Sequence, residues 1–229
     1  MSQKPLVALI HAVPVSVPAA TSAFKVVWPD ADVANIIDES LFHNLTSGTA
    51  ERDAVVERFR ALTEFALSPT TDGRRPQAIL FCCSAFAYAI GQARVGRNVP
   101  ILTPAEAGIE DALAAGKRIG LVVSAEAALA PLVDEFSGIA AARNRSYELV
   151  PIVANGAIEA IREGRMEEHD RIVVQAIESA PEVDVVLMGQ FTMSRAASLF
   201  LPDRTPRVLT TPTSAVRKLR SLLGAGSAA

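Results

Sequence analysis

Apolar residues in this chain follow two alternating patterns. Short runs rich in β-branched residues at 6–10, 33–37, 78–81, 119–123, 149–153, 183–188 and 208–209 have the length and residue types of strands. Between them, 54–67, 126–141, 169–180 and 194–201 carry apolar residues at helical spacing, which predicts helices that each lay one apolar stripe on a sheet. Thr103-Pro104 opens a further helical segment, 105–115, that reads as a crossover with Gly116 as its stop, and 212–223 reads as a last helix. Strand and helix in alternation predict an α/β protein with mostly parallel sheets.

The pattern also repeats. At an offset of 108 residues, Ile79-Leu80-Phe81-Cys82-Cys83-Ser84 lies over Leu187-Met188-Gly189-Gln190-Phe191-Thr192, and Thr103-Pro104 lies over Thr211-Pro212. At an offset of 113, the run from Lys4 to Ile10 lies over the run from Lys117 to Val123. Any two βα units share an apolar strand and a polar turn, but two matches in the same order predict two pseudo-symmetric, duplicated α/β lobes. The first takes 1–103 plus 207–229 and the second takes 104–206. Ile10, Phe81, Val123 and Gly189 are then equivalent strand ends. Ligand crevices in open α/β sheets lie outside such carboxyl ends, so the active site is expected in the cleft between the lobes.

Composition narrows the function classes. With 229 residues, half of them hydrophobic, the chain can bury a core as one large domain or as two lobes of roughly 100 residues. A net charge of -3 supplies no strong positive field, so nucleic acid and membrane surface are poor partners. No apolar run approaches the roughly 20 residues of a membrane span. The amino terminus enters a strand-like run without the apolar stretch of a secretory signal, which makes a cytoplasmic location the expectation. Cys82 and Cys83 are the only cysteines and are sequence neighbours, so an ordinary structural disulfide between them is geometrically unfavourable. His11, His43 and His169 are scattered, and no metal site is expected.

The candidate chemistry gathers at the strand ends. Cys82 follows a strand and precedes a helix start, where free N–H groups and the helix dipole favour thiolate over thiol. The plain alternative is a small buried hydrophobe, which is also the expected role of Cys83. Ser84, followed by Ala85, and Thr192, preceded by Phe191, occupy matching helix starts, where a hydroxyl caps the helix or binds a carboxylate. Ser124 follows the strand end at Val123. Gln190, opposite Cys82 in the repeat, has no proton-transfer pKa and can only donate or accept hydrogen bonds. His11 ends the first strand, where an imidazole acts as acid or base or is satisfied structurally. Asp38 and Ser40, with Glu39 between them, project from the same sheet edge and either touch ligand or cap the next segment. His169-Asp170 reads as a solvated helix face.

These residues resemble the aspartate/glutamate/hydantoin racemase superfamily, whose halves each end a strand in a Cys-Thr-like or Cys-Asn-Thr-like motif, here Cys82-Cys83-Ser84. The likeness covers nearly the whole chain through the order of elements, the duplication, and the segments 78–84 and 186–192. Members include allantoin racemase, arylmalonate decarboxylase and maleate isomerase. The resemblance implies a cofactor-independent enzyme, commonly a homo-oligomer, in which a cysteine moves a proton at carbon next to a carboxylate or carbonyl. Two departures sharpen that expectation. Gln190 stands where the second thiol belongs, and His11-Ala12 stands where amino-acid racemases place an acidic residue and serine. A non-amino carboxylate or a cyclic amide is then the expected ligand, with Cys82 and His11 as proton carriers. Ser84, Ala85, Asp38, Ser40, Ser124, Gln190, Phe191 and Thr192 are expected around the substrate. A single-thiol decarboxylase of an activated malonate and a non-catalytic small-molecule binding protein are the alternatives.

Overall fold

A computed structural model describes residues 4–46, 48, 51–200 and 206–225. The outer ends of the expected lobes and Leu201 lie outside that range. The chain divides into two compact units, one formed by the residues up to Pro104 together with those from Ala215 onward, the other by Ala105–Ser214.

The first unit runs β1 (Leu6–His11), α1 (Val17–Val27), β2 (Asp32–Ile37), α2 (Ser40–Thr46), α3 (Arg52–Leu67), β3 (Ala78–Phe81), α4 (Ala87–Ala93) and β4 (Ile101–Leu102). The second runs α5 (Glu106–Ala115), β5 (Arg118–Val123), α6 (Leu129–Ala142), β6 (Glu148–Val153), α7 (Ala157–Arg162), α8 (Met166–Glu178), β7 (Val185–Met188) and β8 (Arg207–Thr210). α9 (Thr211–Ala225) begins in the second unit and continues into the first. Short 3-10 turns precede α1, α4 and α6, and a longer 3-10 run, Phe191–Leu199, replaces the α-helix expected near 194–201. The strands form two four-stranded sheets, ordered β2-β1-β3-β4 and β6-β5-β7-β8, and all their pairings are parallel. The two α/β sheets are those the patterning predicts.

Central strands of a parallel sheet are covered on both faces and therefore read as continuous apolar runs. β1 and β3 are buried along their whole length, as is β7. In the first unit α3 lays Val55, Phe59, Leu62 and Ala66 on Ala8, Ile10, Ile79 and Phe81. The Phe59 ring lies 5.2 Å from that of Phe81 and 5.1 Å from that of Phe86. In the second, α6 packs Leu132 and Phe136 against Ile119, Leu121 and Leu187, while α8 covers the group that includes Val122, Val186 and Met188 with Val173 and Ile177. The edge strands differ: β2 exposes Asn35 and Ile37, and β6 exposes Glu148 and Pro151.

Strand pairing fixes the repeat more sharply than sequence matching does. Ile10 pairs with Phe81 in the first sheet, and Val122 pairs with Met188 in the second. The hydrogen-bond phase decides the offset: the Cys82 N–H donates to the Ile10 carbonyl and the Gly189 N–H to the Val122 carbonyl, so Ile10 corresponds to Val122 and Phe81 to Met188, at offsets of 112 and 107 rather than 113 and 108. The correction moves each partner by one residue. Cys82 corresponds to Gly189 and Cys83 to Gln190, while Ser84 corresponds to Phe191, Ala12 to Ser124 and His11 to Val123. A one-residue slip changes which face of a strand a side chain occupies, so the correction bears directly on the chemistry.

Gly116 does end α5, with its N–H 3.1 Å from the Ala112 carbonyl, but its φ of -171° is extended. The glycine is required by close approach, since a Cβ there would lie 2.3 Å from Asp184 Cβ. Asp184 in turn accepts the N–H groups of Lys117 at 2.7 Å and Arg118 at 2.8 Å. Among the described residues no helix is long and apolar enough to cross a membrane.

Candidate functional site

The turn after β3 holds both cysteines, and the ladder separates their roles. The Cys82 N–H still donates to the Ile10 carbonyl at 2.8 Å, so this residue continues the strand. Its thiol donates to the Leu80 carbonyl at 3.6 Å, and the residue is 5% exposed. The corresponding Gly189 shows how tight this position is: a Cβ there would lie 2.8 Å from Leu132 Cδ1 and 3.1 Å from the Val122 carbonyl oxygen. Burial, with Cys83 adding to it, pushes the Cys82 thiol well above its ordinary value. Cys82 thus lies within the strand, one residue before the turn at which helix-start amides were expected around it.

Cys83 is the first residue beyond the ladder. Its backbone is extended, with φ -129° and ψ 116°, and it occupies the cap position of the 3-10 turn Ser84–Phe86. The side chain is half-buried beside Ile10, Ala12, Leu41, Phe59 and Phe81. Burial raises its thiol, and the Ala85 N–H bonded to the sulfur opposes that rise. The thiol therefore holds its proton near neutral pH. Ser84 and Ala85 form the turn itself and are half-buried. The cap positions belong to Cys83 and Gln190, one residue before the expected Ser84 and two before Thr192.

In the second unit the matching turn is polar. Gln190 Oε1 accepts the Ser124 N–H at 2.7 Å and the Ser124 hydroxyl at 2.8 Å. This contact joins two of the residues singled out in the sequence and fixes the amide, leaving its NH2 group as donor. Phe191, expected at the ligand, is 3% exposed and belongs to the interior. Thr192 is half-buried one position later.

His11 is fully buried, and both of its nitrogens are engaged. Nδ1 lies 2.7 Å from Ser16 Oγ and Nε2 lies 3.0 Å from Asn35 Oδ1. Burial lowers its pKa, with the Asn35 bond opposing. His11 thereby bridges β1 to β2 and to the turn before α1.

Asp38 and Ser40 satisfy each other. Asp38 Oδ1 accepts the Ser40 hydroxyl at 2.6 Å and the Ser40 N–H at 3.2 Å, while Oδ2 accepts Arg58 Nε at 2.7 Å. Burial works against the charge, but the bonds from Arg58 and Ser40 together hold the carboxyl below its usual value. The capping alternative describes this pair.

His169 departs furthest from expectation. It is fully buried, with Nδ1 2.9 Å from Asp170 Oδ1, and Asp170 Oδ2 accepts Arg195 Nε at 2.5 Å. The pair ties α8 to the 3-10 run that follows Gln190; it is not a solvated face. Among the described residues no cluster of three or more His, Cys, Asp and Glu side chains could hold a metal ion.

One feature was missed in the sequence. Arg52, the first residue of α3, places its guanidinium 4.4 Å from the centre of the Tyr88 ring on α4. Neither residue falls in a motif, and only packing of α3 against α4 joins them.

No protein-family model matches the sequence, and no curated protein matches it. Solved structures do. A glutamate racemase from Bacillus anthracis has a TM-score of 0.70 at 12% identity, over 98% of this chain and 84% of that one. An allantoin racemase from Pseudomonas fluorescens has a TM-score of 0.68 at 16% identity, over 96% of this chain and 92% of that one. A glutamate racemase from Francisella tularensis, solved in complex with D-glutamate, has a TM-score of 0.64 at 12% identity, over 99% and 83%. The chain therefore has the fold of these racemases along nearly its whole length.

Proposed function

We propose that this chain is a racemase- or isomerase-type enzyme for a small carboxylate or cyclic amide, and that Cys83 moves the proton on the carbon next to the carboxylate or carbonyl. The position of Cys83 carries the proposal. It is the first residue released from the β3 ladder, half-buried, at the cap of a 3-10 turn, in a chain with a racemase fold. A thiol there gives its proton to a carbanion and takes it back as thiolate. The Ala85 N–H eases the charged half of that cycle, because a donor to sulfur favours the anion.

Within the repeat the counterpart of Cys83 is Gln190, which exchanges no proton. With a single thiol, proton return from the opposite face needs another source. One-sided protonation is therefore favoured, and a second reading follows from the same observation. Loss of CO2 from an activated malonate leaves an enediolate that the resting, protonated Cys83 thiol can quench once.

The test is a panel of small carboxylates, hydantoins and arylmalonates incubated in D2O and read by NMR, with the parent, Cys83→Ala and Cys82→Ala. We expect deuterium at the acidic carbon or loss of CO2 with the parent, a fall of about 10²- to 10⁴-fold in Cys83→Ala, and retention in Cys82→Ala. Loss of turnover in a folded Cys82→Ala with Cys83→Ala active would return the role to Cys82. Deuterium in recovered substrate marks the isomerase, and CO2 release marks the lyase. Saturable binding without either reaction would make the chain a binding protein.

A further inference from the structure

A second concavity lies on the first unit, in the groove between α3 and α4. It has a volume of about 600 Å3 and is lined by residues that include Arg52, Val56, Glu57, Arg60, Tyr88 and Gln92, within the size range of small-molecule sites. Its charges are unequal in availability. Arg60 is paired with Glu57 on the same helix. Arg52 has no carboxylate partner among the described residues and instead stacks its guanidinium on Tyr88 at 4.4 Å.

A guanidinium held over an aromatic face keeps N–H groups for a ligand. That is the geometry in which arginine binds a carboxylate through two parallel hydrogen bonds. Val56 and the Tyr88 ring give the groove an apolar floor, and both sit at the rim of the first unit's core. Asp53 and Glu57 also line it, so the four charged side chains sum to zero. One negative charge on a ligand is welcome there; a second meets Asp53 or Glu57.

We propose that this groove is a binding site for a small monocarboxylate carrying an apolar or aromatic group, with the carboxylate on Arg52 and the apolar part on Val56 and Tyr88. Burial keeps the Tyr88 phenol above its ordinary value even beside Arg52, so the hydroxyl remains a hydrogen-bond donor. The site does not depend on the role of Cys83.

The chain has two tyrosines, Tyr88 and Tyr147, which provides a reporter and a control. Tyr147 packs on Phe136 in the second unit, with ring centres 5.2 Å apart. With tyrosine rings isotopically labelled, sodium phenylacetate is expected to shift the Tyr88 resonances saturably and leave those of Tyr147 in place. Neutral phenylacetamide and dianionic phenylmalonate should bind about tenfold more weakly or worse. Arg52→Gln should reduce phenylacetate to the level of the amide, and Arg52→Lys should fall between, since lysine keeps the charge without the planar fork. A parent-like far-UV circular dichroism spectrum and urea midpoint show that a variant is folded. No saturable Tyr88 shift, or a folded Arg52→Gln that binds phenylacetate as the parent does, overturns the proposal; tighter binding of phenylmalonate overturns its monocarboxylate preference.

Discussion

Where β3 ends in the first unit, a thiol follows the last ladder residue; where β7 ends in the second, an amide follows it. The backbones match: both residues are extended and both precede a 3-10 segment. Their neighbours differ. Cys83 lies against Ala12 and aromatic side chains, whereas Gln190 is held by Ser124 at the position that corresponds to Ala12. One position earlier, Cys82 and Gly189 remain in their ladders and answer to the core. The contrast teaches that a single step along the chain separates a residue held in the ladder from one whose surroundings, apolar in one unit and polar in the other, are set by the neighbouring strand end.

Exchanging residues between the two turns tests that lesson. The largest effect is expected on activity, where Cys83→Gln, copying the second unit, should remove proton transfer and lower turnover by about 10²- to 10⁴-fold. Deuterium exchange measures it; because the new amide would meet Ala12 and Phe81 without a partner, the urea midpoint should fall too, and Cys83→Ala should show the same loss of exchange with a midpoint nearer that of the parent. Next is Gly189→Cys, which places atoms where Leu132 Cδ1 and the Val122 carbonyl already stand. It should destabilise by about 3 kcal/mol, read from urea unfolding, and more than the reverse-side change Cys82→Ala.

His11→Val, which installs the residue found at the corresponding Val123, should cost about 1–3 kcal/mol through loss of the bonds to Ser16 and Asn35. It should also change the acid limb. The folded pKa of His11 lies below 6.5, so as pH drops under 6.5 the unfolded chain takes up a proton that the folded chain refuses. Parent stability therefore falls from that point down to the folded pKa. The variant should lack that portion of the slope when urea midpoints are measured against pH. Smallest is Ser124→Ala, the counterpart of Ala12, which keeps the main-chain bond to Gln190 and loses the hydroxyl bond, at about 1 kcal/mol.

Much of the architecture was legible because central parallel strands must be apolar throughout. The runs at 78–81, 119–123 and 149–153 match β3, β5 and β6 to within a residue. β4 was not read because a two-residue strand, Ile101–Leu102, has no periodicity to recognise. α1 was not read either; its buried residues are Ala20, Ala23 and Phe24, a narrow signal in a segment that begins with prolines. The duplication was visible, but ungapped matching placed Cys82 over Gln190. Apolar strands slide against one another at little cost in similarity, and only hydrogen-bond register distinguishes a shift of one. The same blindness hid the environment of His169, where Glu167, Glu168 and Arg171 suggested water although the imidazole faces inward. Arg52 and Tyr88 belong to different helices, and their encounter is a product of tertiary packing.

One of the two outer strands of the second sheet, β6, carries Pro151. Glu148 and Ala154 direct their N–H groups to the Lys117 and Val123 carbonyls of the β5 side, so by alternation the groups at 149, 151 and 153 point away from the sheet. Proline leaves the middle one of these without a donor. A foreign strand laid along β6 would find a gap at the centre of its ladder, which guards that flank against runaway β-assembly. β2 has Val33, Asn35 and Ile37 at the corresponding places and lacks that protection, so of these two flanks it is β2 from which growth of cross-strand aggregates is expected when this protein is stressed.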